Sequence, residues 1–286
     1  NRDHSDNEID LYHRGAETQR IFLRNSVSLC LCGKLTLMLN FAIQTAREAG
    51  DVLLEKFGRI TSITKKGDIN LVTEADLASE ALIIERIKSY QPRHAILAEE
   101  SGEAIVIGGD TKWKWIIDPL DGTTNYAHGY PCFCVTIALE HDGEIVVGVT
   151  FDPTRNEMFA AEKGGGATLN SKPISVSAET KLSDSLIVTG FPYNFRDKPH
   201  FERAFTEFLL RSRGVRRDGS AAIDMAYVAC GRFEGFWEEG LHPWDVAAGK
   251  LRIDEAGGLI SYYDGSEFSI YSPPICASNG RVHEQM

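Results

Sequence analysis

The sequence predicts a mixed α+β and α/β fold, with antiparallel sheet in its first half and mixed sheet in its second. Three observations lead there. Two stretches ahead of residue 90 repeat apolar residues at helical spacing. Three β-rich runs, FCVTIALE (133–140), EIVVGVTFD (144–152) and EMFAAE (157–162), follow one another across short turns. From Lys181 onward, strand-like and helix-like stretches alternate.

Residues 1–37 stand apart: Asn1–Arg20 is polar without a period, and Ile21–Leu37 is mixed. This stretch is expected to be an extension, disordered or foreign to the native protein. Met38 opens MLNFAIQTAREAGDVLLEKFG, where Phe41, Ala42, Ala46, Ala49, Val52, Leu53 and Phe57 share a helical face and Gly58 ends the helix. KKGDIN (65–70) reads as a turn and LVT (71–73) as a short strand. Thr73-Glu74-Ala75-Asp76 has the form of a capping box ahead of a second amphipathic helix, which runs through Ser89 and stops at Pro92. AILAEES (95–101) is a buried strand ending in acids, and TKWKWIID (111–118) is another strand.

HDG, PTRN and the cluster Gly164–Gly166 connect the β-rich runs. Beyond Lys181, SLIVTGFP is a strand, Phe201–Arg213 and Ser220–Cys230 are helices, FEGFWEEG is a strand and Pro243–Ala256 is a helix. LISYYDG and the residues around Ile275 add strands, and SNGRVHEQM (278–286) starts a further helix. The expected organisation is an α+β metal-binding domain over 38–180 and an α/β substrate-lining domain over 181–286.

With 43% hydrophobic and 25% charged residues, a chain of 286 residues can bury a substantial core and fits one large domain or two ordinary ones. A formal net charge of -11 argues against a nucleic-acid binder, which needs a basic footprint. It does not exclude a phosphate substrate, because bound cations reverse the sign of a local field. The six cysteines include two C-x-C pairs, Cys30 with Cys32 and Cys132 with Cys134. Neither pair has zinc spacing, and a reduced cytoplasmic protein with cysteines as small apolar residues is expected. The apolar run Asn25–Gly33, bracketed by Arg24 and Lys34, falls short of the ~20 residues of a membrane span, so no membrane partner is expected.

The chemistry gathers in WIIDPLDGTTNY (115–126). Trp115-Ile116-Ile117 carries Asp118 to the end of a strand; Pro119 cannot continue the ladder, so the chain is expected to turn there. Gly122 permits a left-handed or close approach. Asp118 and Asp121 can then face one point with the Leu120 carbonyl between them, and the amides of Gly122, Thr123 and Thr124 open a helix able to cradle phosphate. Two carboxylates ~4 Å apart repel by about 1 kcal/mol in water and about 4 at a surface-like dielectric, so they keep a proton or hold a cation. All-oxygen ligands without histidine or thiolate favour Mg²⁺ or Mn²⁺ over zinc. Alone, the motif reads equally well as an Asx-rich turn. Three other acids weigh against that: Glu99 closes a strand, Asp76 stands in the first turn of a helix, and Asp245 opens another.

Together WIIDPLDGTTNY, WDVAAGKLRIDEAGG (244–258), AEES (98–101) and LVTEAD (71–76) resemble the signature of the inositol monophosphatase family, the lithium-sensitive, magnesium-dependent sugar-phosphate phosphatases, from about Met38 to Gly280. The resemblance implies a layered αβαβα sandwich, a homodimer and a small-molecule phosphate ester as substrate. It implies that Glu99, Asp118 and the Leu120 carbonyl hold a first Mg²⁺ ion, and that Asp118, Asp121 and Asp245 hold a second. A third, weaker ion lies near Glu99, with Mn²⁺ as a substitute for any of them. Thr123 and Asp76 match the pair that orients and deprotonates the attacking water, with catalytic Glu99 among the ligands. Gly122, Thr123 and Thr124 match the phosphate cradle. Gly219, Ser220 and Ala221 in RRDGSAAIDM, and Glu238 with Asp245 in FWEEGLHPWD, match the substrate lining.

Simpler roles remain beside these: helix capping for Ser220, a solvated strand end for Glu238, packing or capping for His242, and a solvated turn for whichever of Lys65 and Lys66 does not screen the cluster. The reaction implied is hydrolysis of inositol 1-phosphate by direct attack of a metal-activated water, without a phosphoenzyme. G-T-T-N-Y (122–126) differs from the lysine-glycine version of nucleotide bisphosphatases and favours the inositol branch. Fructose 1,6-bisphosphate and histidinol phosphate are the alternative substrates. A non-catalytic regulatory protein on the same fold is the alternative of another class; it is expected to lose Thr123, Asp76 or a bridging acid, and all are present.

Overall fold

The structure, a computed structural model, describes residues 33–59, 63–66, 70–104, 110–192, 199–272 and 274–286. Leu39–Met286 forms one compact unit that contains every strand named below.

Helix α1 covers residues 33–56. Expected to open at Met38, it is already helical at 33, because its apolar stripe starts earlier: Leu35 and Met38 are buried like Ala42, Ala46, Ala49 and Leu53, at three- and four-residue steps. Of the extension expected over 1–37, residues 1–32 lie outside the described residues and 33–37 belong to this helix. Strands β1 (Ile63–Lys66) and β2 (Asn70–Thr73) pair antiparallel. Thr73 then caps α2 (Glu74–Tyr90), its Oγ1 accepting the Ala75 N–H at 3.1 Å while its own N–H donates to Asp76 Oδ2 at 2.8 Å.

Eight strands follow: β3 (His94–Ala98), β4 (Gly102–Ala104), β5 (Asp110–Asp121), β6 (Cys134–His141), β7 (Glu144–Asp152), β8 (Glu157–Glu162), β9 (Gly166–Leu169) and β10 (Lys172–Pro173). They form one sheet in the order β10-β9-β8-β7-β6-β5-β3-β4. Its pairings are antiparallel except that of β3 with β5, so the antiparallel sheet expected for this half is a mixed one. β4 runs back along one edge of β3 and β5 returns along the other; two reversals restore the original direction.

The turn expected at Pro119 is also replaced. The ladder of β5 with β6 pairs Asp118 with Thr136, passes over Pro119 and Leu120, and resumes at Asp121 opposite Cys134. This is a bulge inside a continuing strand, and the chain turns only at Gly122, where φ is 97°. Pro119 has no N–H to offer the ladder, and its carbonyl accepts the Ser79 hydroxyl of α2 at 2.9 Å.

A second sheet, in the order β12-β11-β13-β15-β14, joins β11 (Leu186–Thr189), β12 (Gly214–Arg216), β13 (Gly235–Glu238), β14 (Leu259–Ser261) and β15 (Ile275–Ser278). Helices α3 (Thr123–Ala127), α4 (Pro199–Arg211), α5 (Ala221–Ala229) and α6 (Pro243–Glu255) complete the fold. α2 packs on β3 and β5, α5 and α6 lie between the two sheets, and α4 covers the far side at β12, giving the αβαβα layering. The middle layer sits close: a Cβ on Gly148 of β7 would stand 2.8 Å from the Ala248 carbonyl oxygen of α6. Val188, Phe236, Met225, Val228, Leu251 and Ile253 fill the core between the sheets. The helix expected to start within 278–286 is only a 3-10 turn at His283–Gln285. No described helix is long and apolar enough to cross a membrane.

Candidate active site

Three segments bring Glu99, Asp118, Asp121 and Asp245 to one cavity, and a fourth sets Asp76 behind Thr123 of its wall. Asp76 comes from the first turn of α2, Glu99 from the end of β3, Asp118 and Asp121 from either side of the β5 bulge, and Asp245 from the first turn of α6. Carboxylate oxygens of Asp118, Asp121 and Asp245 lie within 4.8 Å of one another. These three, Glu99 and Leu120 line a cavity of about 210 Å³. Local bonds fix each one. The Glu99 N–H donates to the Ile117 carbonyl at 3.3 Å, and the Glu100 N–H donates to Glu80 of α2 at 2.9 Å, anchoring the end of β3. The Leu120 N–H donates to Asp118 Oδ1 at 3.0 Å, and the His242 N–H to Asp245 Oδ2 at 2.6 Å.

Burial, and then the charges of Glu99, Asp121 and Asp245, push the Asp118 carboxyl well above the usual carboxylate range. Asp245 is pushed up in the same way, by burial and by Asp121, with the His242 N–H opposing. Burial also raises Asp121, against hydrogen bonds from the Ser220 hydroxyl at 2.6 Å, the Ala222 N–H at 2.8 Å and the Cys134 thiol at 3.7 Å. Carboxylates that resist ionisation in one another's presence ionise readily around a divalent cation. The donors are all oxygen, with the Leu120 carbonyl beside them, and this set fits Mg²⁺ or Mn²⁺.

Thr123 opens α3 at the edge of the cluster. Its Oγ1 lies 3.1 Å from Asp76 Oδ1 and 3.0 Å from the Leu120 carbonyl oxygen. Thr73 occupies the other Asp76 oxygen, its hydroxyl donating at 2.6 Å, so Oδ1 faces Thr123. Gly122 is required twice over, by its left-handed φ and by space, since a Cβ there would meet the Cys132 carbonyl oxygen at 2.8 Å. Thr124 is exposed on the same turn. Asn125 ties this turn to the opposite wall, its Nδ2 donating to the Cys132 carbonyl at 2.7 Å and to the Asp218 carbonyl at 2.8 Å.

Gly219, Ser220, Ala221 and Glu238 line the same cavity. Ser220 holds the N-cap position of α5, but its hydroxyl makes no cap bond and reaches Asp121 instead, so capping does not account for it. Glu238 is buried, not a solvated strand end; burial and Asp121 raise its carboxyl to about 8 while Arg217 opposes. His242 is the N-cap of α6 and packs edge-on to Trp244 with ring centroids 4.8 Å apart. Lys65 and Lys66 stand on β1, with side chains outside the described residues. Cys132 and Cys134 are free and buried. Sequence reasoning missed Phe191, Arg217, Trp244 and Asp224 on the cavity wall. Asp224 alone left a signal: it is the one charge in AAIDMAYVA.

Fold and site define a layered α/β protein whose buried and half-buried acids surround a small polar cavity. The model of the inositol monophosphatase family matches residues 34–286, and the chain belongs to that family. An inositol-1-monophosphatase of Synechocystis sp. is 46% identical over 252 residues, 87% of this chain and 86% of the relative. The Nus factor SuhB of Pseudomonas aeruginosa is 41% identical over 256 residues, 87% of this chain and 94% of the relative. Among solved structures, an inositol monophosphatase from Anabaena (Nostoc) superposes with a TM-score of 0.79 at 45% identity, over 88% of this chain and 94% of that one.

Proposed function

We propose that the protein is a magnesium-dependent phosphomonoesterase that hydrolyses inositol 1-phosphate to inositol and phosphate. The observation that supports this most is one cavity holding three kinds of group: crowded acids, a threonine hydroxyl directed at a buried carboxylate, and a polar wall suited to hydroxyls. Glu99, Asp118, Asp121, Asp245 and the Leu120 carbonyl hold the ions. Bound Mg²⁺ supplies Lewis acidity that favours ionisation of water and a negative leaving oxygen. Thr123 accepts a hydrogen of the attacking water while donating its own to Asp76, which takes the proton as general base. The amides of Gly122, Thr123 and Thr124 bind phosphate oxygens. Gly219, Ser220, Ala221 and Glu238 orient the polyol.

Relatives that carry the name Nus factor SuhB raise the reading of a binding protein without turnover. The complete set of acids with Thr123 and Asp76 favours hydrolysis. Phosphate release from inositol 1-phosphate, with and without Mg²⁺, tests the proposal: turnover only with the metal is expected, and none in either condition overturns it. Comparing kcat/KM for inositol 1-phosphate, fructose 1,6-bisphosphate and histidinol phosphate tests the substrate.

A further inference from the structure

Asp224 lies on the first turn of α5 and is 1% exposed. Neither of its carboxyl oxygens has a hydrogen-bond partner among the described residues. Every other residue of α5 that is buried is apolar, and a buried polar group without a partner destabilises the fold. Helix capping does not account for it, since no backbone N–H donates to it. Its position suggests what it is for: Asp224 is part of the cavity wall, together with Glu238, Arg217, Gly219 and Ser220. The acids on which the metal reading rests are Glu99, Asp118, Asp121 and Asp245, and Asp224 is not in their cluster.

We propose that Asp224 binds a hydroxyl of the polyol half of the substrate, completing with Glu238 a pair of carboxyls that select a hydroxylated leaving group. This rests on the phosphatase reading of the same cavity. A carboxyl with two free oxygens accepts from a substrate hydroxyl in either protonation state. Burial, reinforced by Asp218 and Glu238, holds Asp224 well above the usual carboxylate range, which adds a donor. A ligand hydroxyl, at once donor and acceptor, satisfies such a group; an ester without hydroxyls leaves it unpaired. Sites of this kind reject analogues that lack the hydrogen-bonding group far more strongly than apolar pockets do.

The test compares Asp224→Ala and Asp224→Asn with the wild type on inositol 1-phosphate and on p-nitrophenyl phosphate, which has no alcoholic hydroxyl, at saturating Mg²⁺. For the alanine variant the expected result is a KM for inositol 1-phosphate raised about tenfold, and a kcat/KM ratio between the two esters lowered by at least about tenfold. Asp224→Asn, which keeps a donor and an acceptor, is expected to retain most of the ratio. Asp224→Leu, of similar volume, gives the same readout should the alanine variant not fold. An unchanged ratio, or equal losses on both esters, overturns the role of Asp224 while leaving the phosphatase reading intact. Failure of the wild type to hydrolyse either ester overturns both.

Discussion

At Thr123 one hydroxyl proton has two acceptors, Asp76 Oδ1 at 3.1 Å and the Leu120 carbonyl at 3.0 Å. Donating toward Asp76 leaves the Thr123 lone pairs open to a water, so a proton can pass from water to hydroxyl to carboxylate without any group moving. Thr123→Ala is therefore expected to lower kcat by about 10²- to 10⁴-fold, the range of one general-base contact, while magnesium affinity by titration calorimetry stays near wild type. Thr123→Ser keeps the hydroxyl and should recover most of the rate; full activity in the alanine variant would remove the relay. Asp76 and Thr123 were each legible in the sequence, LVTEAD through its capping box and DPLDGTT through acids and hydroxyl within six residues, but their pairing across 47 positions was implied only by the family resemblance. Asp224 was not legible, because an aspartate in the first turn of a helix reads as an ordinary dipole contact until its neighbours are known. Ser220, which the sequence offered both as substrate lining and as a cap, lost the capping reading once its hydroxyl was found on Asp121.

The elements deliver these residues through close packing that a change of one carbon can disturb. α6 carries Asp245 at its start and lies against β7, where the Cβ of an alanine at Gly148 would stand 2.8 Å from the Ala248 carbonyl oxygen and 3.0 Å from its Cα. Both are backbone atoms, so the helix itself must shift. Gly148→Ala is expected to cost about 1–3 kcal/mol in urea unfolding and to lower kcat/KM, because the displacement reaches Asp245. Gly214→Ala in the edge strand β12 is the contrast: the nearest atom is a flexible Arg216 Nη1 at 3.4 Å, and the change should stay within about 0.5 kcal/mol. Equal losses at the two sites would contradict the packing argument. Most elements could be read from periodicity alone, as the three β-rich runs show. What could not be read depends on partners. Three-residue β12 has no period to detect, β5 continues through Pro119 only because Ser79 and the resumed ladder support it, and the parallel register of β3 with β5 is a property of the sheet.

Over the whole molecule the acid cluster sets how stability depends on pH and metal. The unfolded chain loses the protons of Asp118 and Asp245 near 3.8, whereas the folded, metal-free protein holds them to well above that. In that range the native state binds more protons than the unfolded state, so stability falls as pH rises: the contribution of these groups is complete below about pH 4 and is lost as pH climbs through the raised folded values. At neutral pH the metal-free protein thus carries a penalty, from burial of the acids first and their mutual repulsion second, that Mg²⁺ offsets, and an ion at a hundred times its Kd adds about 2.7 kcal/mol. Asp118→Asn separates the two effects, since it deletes a central charge of the repelling cluster and the proposed bridge between ions together. In EDTA at neutral pH this variant is expected to melt above the metal-free wild type; with Mg²⁺ the order should reverse, the wild type gaining several degrees and the variant almost none. Differential scanning calorimetry of both proteins with EDTA and with Mg²⁺ decides it. A variant that melts below the wild type in EDTA, or gains as much from Mg²⁺, would mean that these acids are neither frustrated without metal nor joined by it.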